Sequence, residues 1–238
     1  EQFRVVSSYA NIDPIFNLPL RVLLEIRDSE KFVAELGVDA AGQMDKYFTL
    51  VTPRIGIVTR FSLAHSDKEH FGSLEALAQE KSKLIHTLPP YGWALLNGDD
   101  ARVRKLAEKT EATSLLCGFG EVNDCQIKGF AQRIVGAKPQ SEFSIDYGGK
   151  HWQYRTNLLG RHNALSAVFA TMTGHLLGME QREIQKGLFA AHPVEGRLEP
   201  KAGRFGLVID DTYNASPEAS RAAIDILTEL DSEGGVLV

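Results

Sequence analysis

Short apolar runs alternate with stretches of helical periodicity through the first half of this chain, and that alternation restricts the fold more than any other feature. Arg4–Ser7, Phe32–Leu36, Ile55–Thr59, Trp93–Leu96 and Ser114–Cys117 read as strands. Pro19–Ile26, Gly42–Leu50, Ser73–Leu88 and Asp100–Lys109 read as helices between them. A helix that separates two strands returns the chain across the sheet, so the strands run parallel. Strands covered on both faces are apolar throughout, as Ile55-Gly56-Ile57-Val58 nearly is. The expectation is an α/β fold with a mostly parallel sheet and helices on both faces.

The pattern then changes. Phe143–Tyr147 and His151–Arg155 flank Gly148-Gly149, a pair suited to the left-handed positions of a tight hairpin turn, which predicts an antiparallel edge. Helices follow at Asn163–Leu177, stopped by Gly178, and at Gln181–Ala190. The polar stretch Glu199-Pro200-Lys201-Ala202-Gly203 reads as a linker. Beyond it, Phe205–Ile209, Pro217–Leu230 and Gly235–Val238 make a new β-α-β start of Rossmann-like type. Two domains are therefore expected, one over 1–200 and the beginning of another over 201–238.

Composition narrows the partners. The 26 basic and 31 acidic residues are interspersed and leave a net charge of −5, with no basic stripe to hold nucleic acid. No apolar run approaches the ~20 residues of a membrane span, so no membrane insertion is expected. Cys117 and Cys125 are the two cysteines, without zinc spacing, which points to a reduced, cytoplasmic protein, with an isolated surface disulfide between them as the alternative. The start at Glu1-Gln2-Phe3-Arg4 and the end at Gly234-Gly235-Val236-Leu237-Val238 suggest a piece of a longer protein.

Several residues have chemistry suited to a site. Glu35 stands at the carboxyl end of Phe32–Leu36, and His65 follows Ile55–Thr59 after a short loop. Both reach the strand edge where α/β sheets bind ligands, and both suit a hydrated Mg²⁺; the alternative is a surface carboxylate and a loop histidine. Lys81 lies on one helical face with Ala78, within a stretch that otherwise reads as a solvated, Lys-rich face. Asn97-Gly98-Asp99-Asp100 reads as a turn followed by a helix cap. Asn163, in Gly160-Arg161-His162-Asn163, either caps its helix or contacts a ligand. Arg197 offers a planar fork for phosphate oxygens. Asp211, between an apolar strand and the helix opened by Pro217, suits ribose hydroxyls, while Asp210 and Tyr213 suit turn chemistry and packing.

Taken together, Gly196-Arg197-Leu198-Glu199, Asp210-Asp211-Thr212-Tyr213-Asn214-Ala215-Ser216-Pro217 and Gly160-Arg161-His162-Asn163 resemble the ATP-dependent Mur ligases of bacterial cell-wall synthesis, above all their D-alanyl-D-alanine-adding branch. The resemblance implies that Glu35 and His65 help bind magnesium, His65 closing a Thr59-to-His65 loop in which Arg60 and Ser62 replace the family's Asn and Gly. It implies that Lys81 matches a lysine carbamylated in several members, with Lys83 at the family's Glu. A carbamate there would bridge a second magnesium, and its formation needs a neutral amine. Asn163, Arg197 and Asp211 are implied as nucleotide contacts, with Ser166 and Ser216 in place of family asparagines.

The G-x-x-x-x-G-K-[ST] phosphate loop is missing: the nearest run, Gly37 to Met44, has Gln43 where the lysine must be. By resemblance the chain begins just after that loop of its parent, and it lacks the amino-terminal domain and most of the carboxyl-terminal domain. The implied parent is a monomer that uses ATP and Mg²⁺ to join D-alanyl-D-alanine to a UDP-muramoyl tripeptide through an acyl phosphate. Lys81 and His65 are implied at its catalytic centre. The isolated chain is expected to have little or no ligase activity. Two alternatives stand beside this reading: a folylpolyglutamate-synthase-like ligase, and a non-catalytic relative that only binds nucleotide. A nicotinamide dehydrogenase is not expected, because no G-x-G-x-x-G follows any strand.

Overall fold

The computed structural model describes residues 3–8, 14–61, 71–135, 138–204 and 206–230. The chain divides into two compact units, Glu1–Leu115 and Leu116–Val238.

In the first unit, β1 (Val5–Ser7) pairs in parallel with β2 (Lys31–Val33), joined through α1 (Pro14–Leu24). After α2 (Gln43–Phe48), β3 (Ile55–Val58) pairs in parallel with β4 (Trp93–Asn97), joined through α3 (Leu74–His86). Both crossovers use a helix, as parallel pairing requires. Ser73 caps α3 by accepting the Ala76 N–H at 3.1 Å, which fixes where the helix begins. Leu77 then faces inward and packs with Leu18, Val38, Met44 and Tyr47, so three helices share one apolar cluster. The short α4 (Ala101–Arg104) is capped by Asp100, which accepts the N–H groups of Arg102 and Val103.

In the second unit, Cys117 and Gly118 at the end of β5 (Thr113–Gly118) pair in parallel with β6 (Cys125–Val135), which places Cys117 beside Cys125. From there β6, β7 (Lys138–Tyr147) and β8 (Lys150–Thr156) form an antiparallel meander. Gly148 and Gly149 take φ of 57° and 75° at its tip, values that the absence of a Cβ makes accessible. Helices α5 (Arg161–Leu176) and α6 (Gln181–Ala190) follow, then β9 (Glu199–Gly203), β10 (Gly206–Asp210) and α7 (Pro217–Leu230).

The expected α/β class, with parallel strands and an antiparallel hairpin, is the one found. Four details differ. The stretch Glu199–Gly203 is not a linker but a strand paired antiparallel with β10, with Pro200 opposite Ile209 in a two-stranded ribbon. The long β6 carries Gly129 and a register shift between Lys128 and Ala131, which broke the alternation that reveals a strand. The helix expected over Asp100–Lys109 is one α-turn followed by a 3-10 turn. Finally, β2 ends at Val33, so Glu35 follows the strand rather than closing it. The expected strand Gly235–Val238 lies outside the described residues.

Candidate functional site

In the first unit, the charge of a carboxylate acts on a half-buried amine. Glu35 is exposed, and its backbone N–H donates to Ser8 Oγ at 3.0 Å, tying the segment after β2 to the end of β1. Lys81 projects half-buried from α3. Burial pushes its amine below the usual lysine range, while the negative charge of Glu35 pulls it back upward. His65 and Ser62 lie outside the described residues, so the loop expected to join this pair is not placed.

Next to Lys81 on α3, Glu80 is 4 % exposed. Its Oε1 accepts the Met44 N–H at 2.9 Å, at the first turn of α2, and its Oε2 lies 2.9 Å from Lys83 Nζ. Burial pushes this carboxyl up, but the bonds from Lys83 and from the Gly42 and Met44 N–H groups outweigh it and hold it below its usual range. Lys83 Nζ also lies 2.6 Å from Asp45 Oδ2 and is held above the lysine range by Asp45 and then Glu80. Two lysines two positions apart thus meet opposite environments. Lys83 is fixed as a cation by two carboxylates, and Lys81 is desolvated. Glu80 escaped notice in the sequence, although it falls three residues after Leu77 on the buried stripe of α3.

The second unit gathers three separated motifs. At the start of α5, Gly160 has φ 93°, and an added Cβ would stand 2.6 Å from His162 Cε1 and 3.0 Å from Ile226 Cδ1. Asn163 Nδ2 donates to Leu159 O at 2.8 Å, so the amide closes this corner while its oxygen stays available to other donors. Ser166 Oγ donates to His162 O at 3.1 Å.

Arg197 and Asp211 are knitted together across the β9–β10 ribbon. Tyr213 N–H donates to Gly196 O at 3.0 Å, Leu198 N–H donates to Asp211 Oδ1 at 3.1 Å, and the Arg197 guanidinium lies 4.2 Å from the centre of the Tyr213 ring. Asp210 instead accepts Lys201 Nζ at 2.6 Å and the Thr212 hydroxyl and N–H at 2.7 and 3.1 Å, which draws its carboxyl down to about 2. Ser216 caps α7 by accepting the Ala219 N–H at 3.1 Å. Leu159, Leu198 and Ile226, one each from the Gly160 corner, the Arg197 turn and α7, share a buried cluster. Residues widely separated in sequence are therefore anchored on one apolar plug.

Among the described residues, no three His, Cys, Asp or Glu side chains form a group that could hold a metal ion. No described helix is long and apolar enough to cross a membrane. A shallow hollow of about 440 Å³ in the second unit lies at the β7–β8 tip beside Asp146 and His151.

Residues 8–174 match the family model described as the Mur ligase middle domain. A UDP-N-acetylmuramoyl-tripeptide–D-alanyl-D-alanine ligase of Bacillus subtilis is 30 % identical over 98 % of this chain and 49 % of its own length. A ligase of the same name from Borreliella burgdorferi is 28 % identical over 97 % of this chain and 48 % of its own. Among solved structures, MurF from Acinetobacter baumannii superposes with a TM-score of 0.84 at 24 % identity, covering 97 % of this chain and 49 % of its own. MurF from Thermotoga maritima, solved in complex with ADP, gives 0.83 at 21 % identity, covering 96 % and 51 %. The chain spans about half the length of the curated relatives it matches.

Proposed function

Because this chain belongs to the Mur ligase family, we propose that the protein containing it is an ATP- and Mg²⁺-dependent ligase that joins D-alanyl-D-alanine to a UDP-muramoyl tripeptide. Phosphoryl transfer from ATP to the peptide carboxylate would give an acyl phosphate and ADP. Attack by the dipeptide amine would then form the amide and release phosphate. The observation that carries the reading onto named residues is the Glu35–Lys81 pair: an exposed carboxylate beside an amine that burial makes easier to deprotonate.

These side chains have the chemistry a hard cation would need: Glu35 would supply oxygen, His65 imidazole, and Lys81 two more oxygens once its neutral amine has taken up carbon dioxide and lost a proton as a carbamate. Magnesium held there would neutralise charge on the transferring phosphoryl group. The neighbouring Lys83 stays a cation, because Glu80 and Asp45 hold it so, and this keeps the two lysines chemically distinct. In the second unit, Asn163 Oδ1 would accept from a base or ribose, Arg197 would meet phosphate oxygens, and Asp211, which accepts the Leu198 N–H through Oδ1, would offer its second oxygen to ribose.

We divide the chain near residue 200, with the middle domain before the β9–β10 ribbon and the start of a carboxyl-terminal domain from it onward. The family match ends at residue 174, short of that boundary. A monomeric, cytoplasmic parent fits the small-molecule substrates in the relatives' names. The isolated 238-residue chain has no phosphate-binding loop and should not ligate.

The test is phosphate release by the full-length parent with ATP, Mg²⁺, UDP-muramoyl tripeptide and D-alanyl-D-alanine. Release that requires both organic substrates supports the assignment. Release supported equally by glutamate and a folate would move the protein to the folylpolyglutamate-synthase-like class, and no turnover with any amine would leave a nucleotide-binding relative.

A further inference from the structure

Gln132 lies on β6, 8 % exposed, far in sequence from every motif considered above. Its side chain nevertheless touches two of the elements that carry them. Oε1 accepts the buried Gly160 N–H at 2.7 Å, and Nε2 donates to Glu229 Oε2 at 2.5 Å, near the end of α7. The amide orientation is forced: rotated by half a turn, it would set NH₂ against N–H and oxygen against carboxylate.

Gly160 opens the Gly160-Arg161-His162-Asn163 corner at φ 93°, where an added Cβ would collide with His162 and Ile226, so the corner has room for glycine alone. The apolar plug of Leu159, Leu198 and Ile226 sets the distance between this corner and α7 but imposes no direction. The Gln132 amide adds the directional component that a hydrophobic contact lacks. We propose that Gln132 is a positioning residue, holding the Gly160–Asn163 corner in register with α7 and so fixing the geometry in which Asn163 meets a nucleotide. The functional half of this proposal rests on the ligase reading above; the structural half does not.

The test uses a charge swap. Gln132→Glu keeps an acceptor for the Gly160 N–H but sets two carboxylates face to face. Adding Glu229→Gln restores one amide and one carboxylate in exchanged positions. Backbone hydrogen exchange in the 238-residue chain reads the corner directly. Exchange at Gly160–Asn163 should rise roughly 10-fold in Gln132→Glu and return to the wild-type rate in the double variant. In the full-length parent, KM for ATP should rise roughly 10-fold in the single variant with kcat within about 2-fold, and the double variant should restore it. Unaltered exchange in Gln132→Glu, or no recovery in the swap, overturns the latch. Altered exchange with an unchanged KM overturns the link to nucleotide geometry. A wild-type parent that turns over no ATP defeats the ligase assignment and the nucleotide link with it, while the exchange arm still decides the latch.

Discussion

Leu198 donates its backbone N–H to Asp211 Oδ1 across 3.1 Å, joining two motifs 13 residues apart. Leu198 has φ 50°, a left-handed conformation that costs a non-glycine residue about 1–2 kcal/mol, and its side chain is buried with Leu159 and Ile226. The strained turn persists because both its backbone and its side chain are held.

Asp211→Ala removes the acceptor and strands a buried N–H, so it should cost about 1–3 kcal/mol of stability. Asp211→Asn keeps an acceptor oxygen in place and should cost less than about 1 kcal/mol. Urea unfolding of the two variants separates them, and equal losses would show that the carboxylate is not what holds the turn.

Glu35→Gln should push Lys81 further below the lysine range. Glu35 is the group whose charge raises this amine against the larger effect of burial. Following Nζ by NMR across alkaline pH should show the titration midpoint moving down in the variant. With ¹³C-bicarbonate, a carbamate signal should appear in the wild type and be absent from Lys81→Arg. A midpoint that rises, or does not move, would falsify the pairing of these two residues.

Glu80 makes stability depend on pH. Its folded-state pKa lies below the usual 4.5, so the native state holds its proton less tightly than the unfolded chain does. The stabilisation is therefore complete above about 4.5 and is lost as pH falls through the folded value. Glu80→Gln retains acceptors for Met44 but loses the ion pair, so it should be less stable at neutral pH and show a shallower loss on acidification. Parallel acid profiles for the two proteins would refute the assignment.

Cys117 and Cys125 should resist thiol reagents in the native state. Both are 0 % exposed thiols outside any disulfide, and contact with Cys125, together with burial, pushes the Cys117 thiol far above its usual range. Ellman's reagent should find no fast-reacting thiol in the folded chain and two after denaturation. Rapid reaction of either under native conditions would contradict the packing of β5 on β6.

Much of the architecture could be read from the string because it is written in local patterns. Apolar runs, Ser73 before α3, Gly148-Gly149 at the hairpin and Pro217 at α7 each act over a few residues. Where a long-range contact overrode local composition, the reading failed: Glu199–Gly203 looks like a linker until β10 is beside it, and β6 is hidden by its own irregularity. Residue chemistry and the family resemblance together singled out Glu35, Lys81, Asn163, Arg197 and Asp211 without knowing their neighbours.

The neighbours came only from tertiary structure. Nothing in the order of residues says that Lys83 is clamped by Glu80 and Asp45 while Lys81 is desolvated beside Glu35. Nor does it say that Gln132 joins Gly160 to Glu229. Burial and Coulomb interactions depend on distances through space, and folding sets those distances between residues that the sequence keeps apart. The sequence by itself determined which groups were available and which elements would carry them; the fold decided their partners, and with them their charge.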